Sequence, residues 1–385
     1  MGEWKEYRFT EAATLTNGRA YLQPELQTAG KYKIVRVGNL SGGDKWFYSD
    51  MELTDDKYCH KGDLLYAWAC SFGPYIWNED KTIYHYHIWK VNVNEALTDK
   101  LFLYYYLKYY TPKWMGLTNG SVMMHITKGS LEKQLISLPD LDTQRRIASI
   151  LSSLDDKIAA NKKICENLEA QAQALFKHWF VDFAPFKDGK FVESELGLIP
   201  EGWRVGTLGD VAVITMGQSP AGSSYNEKGE GVIFYQGRTE FGFRYPSVRL
   251  YTTEPKRFAE PLSTLLSVRA PVGDINVATE RCCIGRGLAS IKSNNNCHSY
   301  IFYLLQSMKR KFDVYNGEGT VFGSINKDTL NGLKIIIPSN LILLEFEEII
   351  EEMDKKILGC HQENLRLSTL RDTLLPKLMS GQIKL

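Results

Sequence analysis

The string "YHYH" at residues 84–87 places two imidazoles, His85 and His87, on one face of a short strand, a spacing that metal sites use. No third ligand lies near them in sequence, so an exposed strand face is expected instead. "LDDKI" at 154–158 comes closest to the carboxylate and lysine set of a metal-dependent nuclease. Its Leu154 and Ile158 fall at helical spacing, which turns the charges between them toward solvent. "NGEGTVFG" at 316–323 has the glycines of a phosphate-cradling loop but lacks the GK[ST] that completes one. The cysteines (Cys59, Cys70, Cys165, Cys282, Cys283, Cys297 and Cys360) form no CxxC pair and no ladder with histidines, so neither structural zinc nor a disulfide framework is expected. The chain is expected to hold no catalytic centre and no metal.

What remains is binding. The formal net charge of +1 creates no global basic field, so any anion-binding surface has to be a local patch. Arginine is unevenly spread. Up to residue 140 there are only Arg8, Arg19 and Arg36, whereas nine lie between Arg204 and Arg310. The 385 residues, 44% of them hydrophobic, suffice for two domains with connecting helices. "MGEWKEYRF" is charged where a signal peptide would be apolar, and no apolar run is long enough to span a membrane. A cytoplasmic location is expected.

The elements that must position a binding surface occur twice. Trp4 in "EWKEY" and Trp203 in "GWRVG" stand 199 residues apart. The same offset aligns "GSVMMHITKGSL" (120–131) with "GTVFGSINKDTL" (319–330), Pro139 with Pro338, and Asp155–Ile158 with Asp354–Ile357. One constant offset through separated landmarks marks a tandem duplication. In each copy, "YKIVRVGNL" (32–40) and "GVIFYQGRT" (231–239) read as strands ending at glycine turns. "KGDLLYAWACSFGP" (61–74) and "PLSTLLSVRAPVG" (261–273) read as buried strands leading into loops. "LFLYYYLKYY" (101–110) and "YIFYLLQSMKRKF" (300–312) read as amphipathic helices whose aromatics pack in the core.

Each copy then ends in a long helix. Ile147, Leu151, Leu154, Ile158, Asn161, Cys165, Leu168, Ala172, Leu175 and Trp179 alternate spacings of four and three. That is a coiled-coil seam of about five heptads. Phe346, Ile350, Met353, Ile357, Cys360, Asn364, Leu367, Arg371, Leu374 and Leu378 repeat it, with Arg371 as the one misfit. Each seam calls for a partner helix, and the other copy is the economical one. A twofold axis perpendicular to both makes them antiparallel. With that axis near Ile164, Asn161 faces Asn364 and Cys165 faces Cys360.

The ends of these helices resemble a known family. "LPDLDTQRRIASILSSLDDKI", then "QALFKHWFVDFAPF" and "ELGLIPEGWRVGTLGDVA", is similar to the central conserved region of type I restriction-modification specificity subunits. "LRDTLLPKLMSGQIKL" resembles the end of their second conserved region. The resemblance covers the whole chain. It implies an α+β chain: two mixed α/β target-recognition domains separated by two long antiparallel coiled-coil helices, with pseudo-twofold internal duplication. The expected boundaries are 1–142 for the first recognition domain and 143–183 for the central helix. The second domain spans 184–341, with a linker at 184–200, and the last helix spans 342–385.

By resemblance such a subunit reads double-stranded DNA and catalyses nothing itself. It assembles with two modification subunits, which use S-adenosylmethionine to methylate adenine at N6. Restriction and translocase subunits using ATP and magnesium complete the nuclease. Consistent with that division, the chain has no Pro-Pro, and hence no (N/D)PP(Y/F) tetrapeptide for a flipped adenine. A helix from about residue 145 to 179 is roughly 50 Å long, more than one DNA turn of about 34–36 Å. Two recognition domains at its ends could read two half-sites, with helix length setting the gap. Base reading needs Arg, Lys, Asn or Gln in polar loops. The candidates are Asn17, Arg19, Arg36, Asn39, Ser71 and Lys128 in the first half, and Gln218, Gln236, Arg238, Arg269, Thr320 and Lys327 in the second. The seam residues and the aromatic stretch "FKHWFVDFAPF" (176–186) are candidates for protein contacts. The competing expectations are a coiled-coil scaffold that binds no DNA and a self-sufficient modification enzyme.

Overall fold

The computed structural model describes residues 4–115, 126–316 and 323–385. The chain forms two compact units, Met1–Asn161 with Gln362–Leu385, and Lys162–His361. Each unit therefore takes one globular domain together with half of each long helix, a different division from the four consecutive segments expected. Both domains are mixed α and β, and both have the same plan.

In the first unit, Lys5–Arg8 pairs with Leu135–Leu138 and ties the start of the domain to its end. An antiparallel sheet follows the order Ala13–Asn17, Ile88–Val93, Leu64–Ala67, Gly73–Ile76. A second sheet follows Phe47–Ser49, Tyr32–Val35, Thr82–Tyr84, Tyr58–Cys59, and its central pair is parallel. The second unit repeats these orders, with one edge strand, Tyr225–Asn226, added to the second sheet. Arg204–Thr207 pairs with Lys334–Ile337. One sheet runs Ala212–Met216, Leu288–Ser293, Thr264–Ser267, Ile275–Val277. The other runs Tyr225–Asn226, Leu250–Thr252, Val232–Tyr235, Cys282–Ile284, Phe258–Ala259, again with a parallel central pair. The duplication is thus visible in topology as well as sequence.

Several local expectations are corrected. The strands of 32–40 and 231–239 stop at Val35 and Tyr235, and a helical turn follows each. The loop expected after Ala67 carries a further strand, Gly73–Ile76. The helix expected over 300–312 breaks at Met308 into His298–Ser307 and Lys309–Asp313. In the first half the helix Lys100–Met115 is continuous, with Phe102, Leu103, Tyr105, Tyr106 and Leu107 buried. The segment expected as a linker, 184–200, holds a hairpin of Phe191–Ser194 with Gly197–Pro200.

The long helices run Leu141–Phe180 and Asn340–Met379. Asp140 starts the first: its carboxylate accepts the Thr143 amide at 2.9 Å, satisfying a donor the helix end leaves free. Within the first unit the two helices pair antiparallel. Asn161 Nδ2 donates to Asn364 Oδ1 at 3.0 Å, and one turn and a half earlier Asp155 meets Arg371 at 2.6 Å. Within the second unit, Cys165 lies against Ile357 and Phe176 against Phe346, again in antiparallel order.

One charge assigned outward by sequence turns inward, and the seam's one misfit finds a partner. Asp155 of "LDDKI" is half-buried, accepting from Tyr105 Oη at 2.8 Å as well as from Arg371. Arg371 is accordingly no flaw in the seam but the counter-ion of its antiparallel neighbour. The aromatic stretch 176–186 packs within its own unit: Phe180, Phe183 and Phe186 all stand within 6 Å of the Trp203 ring.

Candidate nucleic-acid interface

In each domain, the loop after the last strand of the parallel pair is held by backbone hydrogen bonds to three other segments. In the first domain the Arg19 amide donates to Tyr84 O at 3.1 Å, and the His85 amide to Val35 O at 3.0 Å. The Trp68 amide donates to His87 O at 3.1 Å, and the Ile126 amide to Trp68 O at 3.3 Å. In the second domain the Gln218 amide donates to Ile284 O at 2.9 Å, and the Gly285 amide to Tyr235 O at 2.8 Å. The Val268 amide donates to Gly287 O at 2.9 Å, and the Ile325 amide to Val268 O at 3.1 Å. These matching bonds fix which residues are equivalent without reference to side-chain type. Arg19 corresponds to Gln218, Arg36 to Gln236, Ala69 to Arg269, and His85-Tyr86-His87 to Gly285-Arg286-Gly287. One backbone frame carries two different sets of side chains.

The frame is close-packed. A Cβ on Gly18 would lie 2.3 Å from Tyr84 O, and one on its equivalent Gly217 would lie 2.1 Å from Gly285 O. Only glycine permits that approach.

In the first domain, Arg36, Asn39, Lys45, Phe47, His85 and His87 line a concavity of about 440 Å³. His85 is buried rather than exposed as expected, with its ring stacked at 6.4 Å on Tyr21. Burial, then the neighbouring His87 and Arg36, push the His85 imidazole down to about 4. Burial and Arg36 lower His87 as well. Both rings are therefore neutral at pH 7. The His87 amide donates to His85 Nδ1 at 3.4 Å, which leaves the proton of that ring on Nε2. No three His, Cys, Asp or Glu among the described residues are grouped to hold a metal.

The candidate residues divide by what already occupies them. Arg19 is half-buried against Glu25 at 2.6 Å, and that hydrogen bond raises its pKa further. Asn39 spends its amide on its own turn, accepting from the Arg36 amide and donating to Gly43 O and Lys45 O. Ser71 is half-buried beside Cys70, which lines the same concavity. Asn17 ends its strand exposed, and Lys128 opens a short helix with Glu132 at 3.7 Å. No described contact brings these two to the concavity. In the second domain, Gln218, Gln236, Arg238 and Arg269 are exposed on the frame, and Arg238 is paired with Asp274. Lys327 opens the helix equivalent to that of Lys128, behind an Asn326 cap. Thr320 lies outside the described residues.

Sequence reasoning missed the loop tips, Tyr86 and Arg286. Tyr86 is 37% exposed and wedged between Trp68, His85 and His87. Arg286 is exposed, with its amide donating to Ser219 Oγ at 3.3 Å. The signal was present as an offset: moving from 199 to 200 between the first and later strands sets Arg286 beneath Tyr86.

A family profile described as the type I restriction modification DNA specificity domain matches residues 1–170 and 200–371. The chain belongs to that family. Among specificity subunits it is 38% identical over 263 residues to the putative type I restriction enzyme MjaX specificity subunit of Methanocaldococcus jannaschii, a match spanning 67% of this chain and 61% of that relative. With the type I restriction enzyme HindI specificity subunit of Haemophilus influenzae it shares 24% identity over 473 aligned positions, covering both chains in full. The crystal structure of a type I restriction-modification system S subunit from M. genitalium has the same fold, with a TM-score of 0.64 at 18% identity over 98% of this chain and 96% of that one. No helix among the described residues is long and apolar enough to cross a membrane. The two family-profile matches coincide with the two frames, one in each repeat.

Proposed function

We propose that this chain is the DNA-reading specificity subunit of a type I restriction-modification complex, each domain reading one half of a bipartite duplex target. The observation that carries the reading is the shared frame with unlike residues: one scaffold presenting Arg19, Arg36 and Tyr86 in one copy and Gln218, Gln236 and Arg286 in the other. A duplicated scaffold bound to two identical surfaces would have no use for that difference, whereas two unlike half-sites require it.

The chain itself performs no chemistry on this reading. Methyl transfer to adenine from S-adenosylmethionine falls to two modification subunits docked on the long helices, and ATP-driven cleavage with magnesium to restriction subunits. The complex works in the cytoplasm, where its DNA is. Mapping N6-methyladenine in the genome of cells that express the chain with its modification partner should return one split motif with a fixed gap. Cells lacking the chain should lose that motif. Methylation that persists without it, or that has no split motif, would overturn the reading. A coiled-coil scaffold that binds no DNA would also show no salt-dependent duplex binding.

A further inference from the structure

We infer that Arg286 is a specificity-determining residue of the second domain and reads a guanine in its half-site. The inference rests on the proposed DNA-reading function and adds a residue and a base to it.

Three observations converge on this side chain. First, it is an unpaired cation of the frame among the described residues, as Arg269 also is. Arg238 is neutralised by Asp274, Arg249 is paired with Glu240 and Arg244 is buried with Glu169 and Asp354. Arg286 is exposed and has no ion-pair partner among the described residues. Second, its base is rigid. A Cβ on Gly285 would stand 2.7 Å from Gln236 O, and one on Gly287 would stand 3.1 Å from the same oxygen. Both flanks are thus seated on the neighbouring backbone, and the Arg286 amide is tied to Ser219. A backbone anchored so closely needs no loop ordering when the arginine docks, so only the side chain's own rotamer freedom is lost. Third, its neighbours are amides. Gln218 and Gln236, the exposed residues of the two segments bonded to this loop, are side chains that pair with adenine edges. A guanidinium fork among amides matches the O6 and N7 acceptors of guanine in the major groove. The equivalent residue of the first domain is Tyr86, which cannot make that fork, so the requirement belongs to the second half-site alone.

The test uses the full chain assembled with its modification partner. Duplexes selected from a random library define the motif of the wild-type complex, and each base of the second half-site is then varied in turn. The wild type should prefer guanine at one position by about 5- to 150-fold. R286A should erase that preference while leaving the other positions and the first half-site unchanged. R286K keeps the charge but not the fork, so it should lose the same preference while binding nonspecific duplex as the wild type does. Uniform weakening of all duplexes by R286A, with a shallower salt dependence, would assign Arg286 to a phosphate and overturn the inference. So would a second half-site without guanine, or a motif unchanged by both variants, although the DNA-reading function would stand in each case. A wild-type complex that selects no split motif would overturn both.

Discussion

Arg244 illustrates how much a single residue can hold in this fold. Its guanidinium is 3% exposed and donates to Glu169 at 2.8 Å and Asp354 at 2.8 Å, with Tyr303 Oη at 3.0 Å. It also lies 3.6 Å above the Phe302 ring. Burial alone would lower its pKa, but Asp354, Tyr303 and Glu169 more than offset it and the value is raised. Burial raises the carboxyl of Asp354, against the pull of Arg244 and Ser299. Removing the cation leaves the buried Glu169 and the half-buried Asp354 carboxylates without their counter-charge, so Arg244→Met should cost about 3–5 kcal/mol at pH 7. The sign of its pH dependence follows. Burial already raises Asp354, and without Arg244 its carboxyl would stand further above its unfolded value, so a proton binds the folded form first as pH drops. Its deficit against wild type should therefore narrow from pH 7 toward pH 5 and be largest at the higher pH. Urea denaturation of both proteins across that range measures it, and a deficit that widens on acidification would contradict the account.

At the scale of elements, the paired helices show which parts of this fold the sequence displays. A heptad seam announces itself through spacing alone, and each helix starts two residues before its expected bound and ends before it, at Phe180 and at Met379. Asn161 also announced a facing asparagine, and its Nδ2 bridges Asn364 Oδ1 at 3.0 Å and Glu363 Oε2 at 2.8 Å. Its own Oδ1 is buried without a partner. Leucine at 161 alone should therefore cost about 1–3 kcal/mol by stranding Asn364, whereas leucine at both 161 and 364 should recover that loss or exceed wild type in urea midpoint. A double variant less stable than the single one would contradict this role for the pair. What spacing could not display was anything held by a distant partner. Arg371 looked misplaced because Asp155 lies 216 residues away in sequence. His85 looked exposed because Tyr21, which covers it, belongs to another segment. The frame shared by the two domains was hidden most completely, since its backbone hydrogen bonds leave little trace in residue type beyond Gly18 and Gly217. It emerged once both copies could be superposed bond for bond.

For the whole molecule, the proposed function makes helix length a variable with a measurable output, the gap between half-sites. Each long helix has 40 residues, about 60 Å at 1.5 Å per residue. Because the helices are antiparallel within each unit, an insertion between Asn161 and Cys165 must be matched by one between Cys360 and Asn364. Matched insertions leave the Asn161–Asn364 and Cys165–Ile357 contacts as they are, with the added heptads facing each other. Three heptads add about 32 Å, close to the 34–36 Å of one DNA turn. The two half-sites would then return to their original faces of the duplex about ten base pairs further apart. One heptad adds only about 10 Å, a third of a DNA turn, which rotates one half-site away from its reader. Methylation mapping of the three-heptad variant should therefore return both original half-sites with a gap lengthened by about one turn. The one-heptad variant should methylate poorly at every gap. If the three-heptad variant keeps the original gap, the helices do not measure it, and the distance between half-sites has to be set by the partner subunits instead.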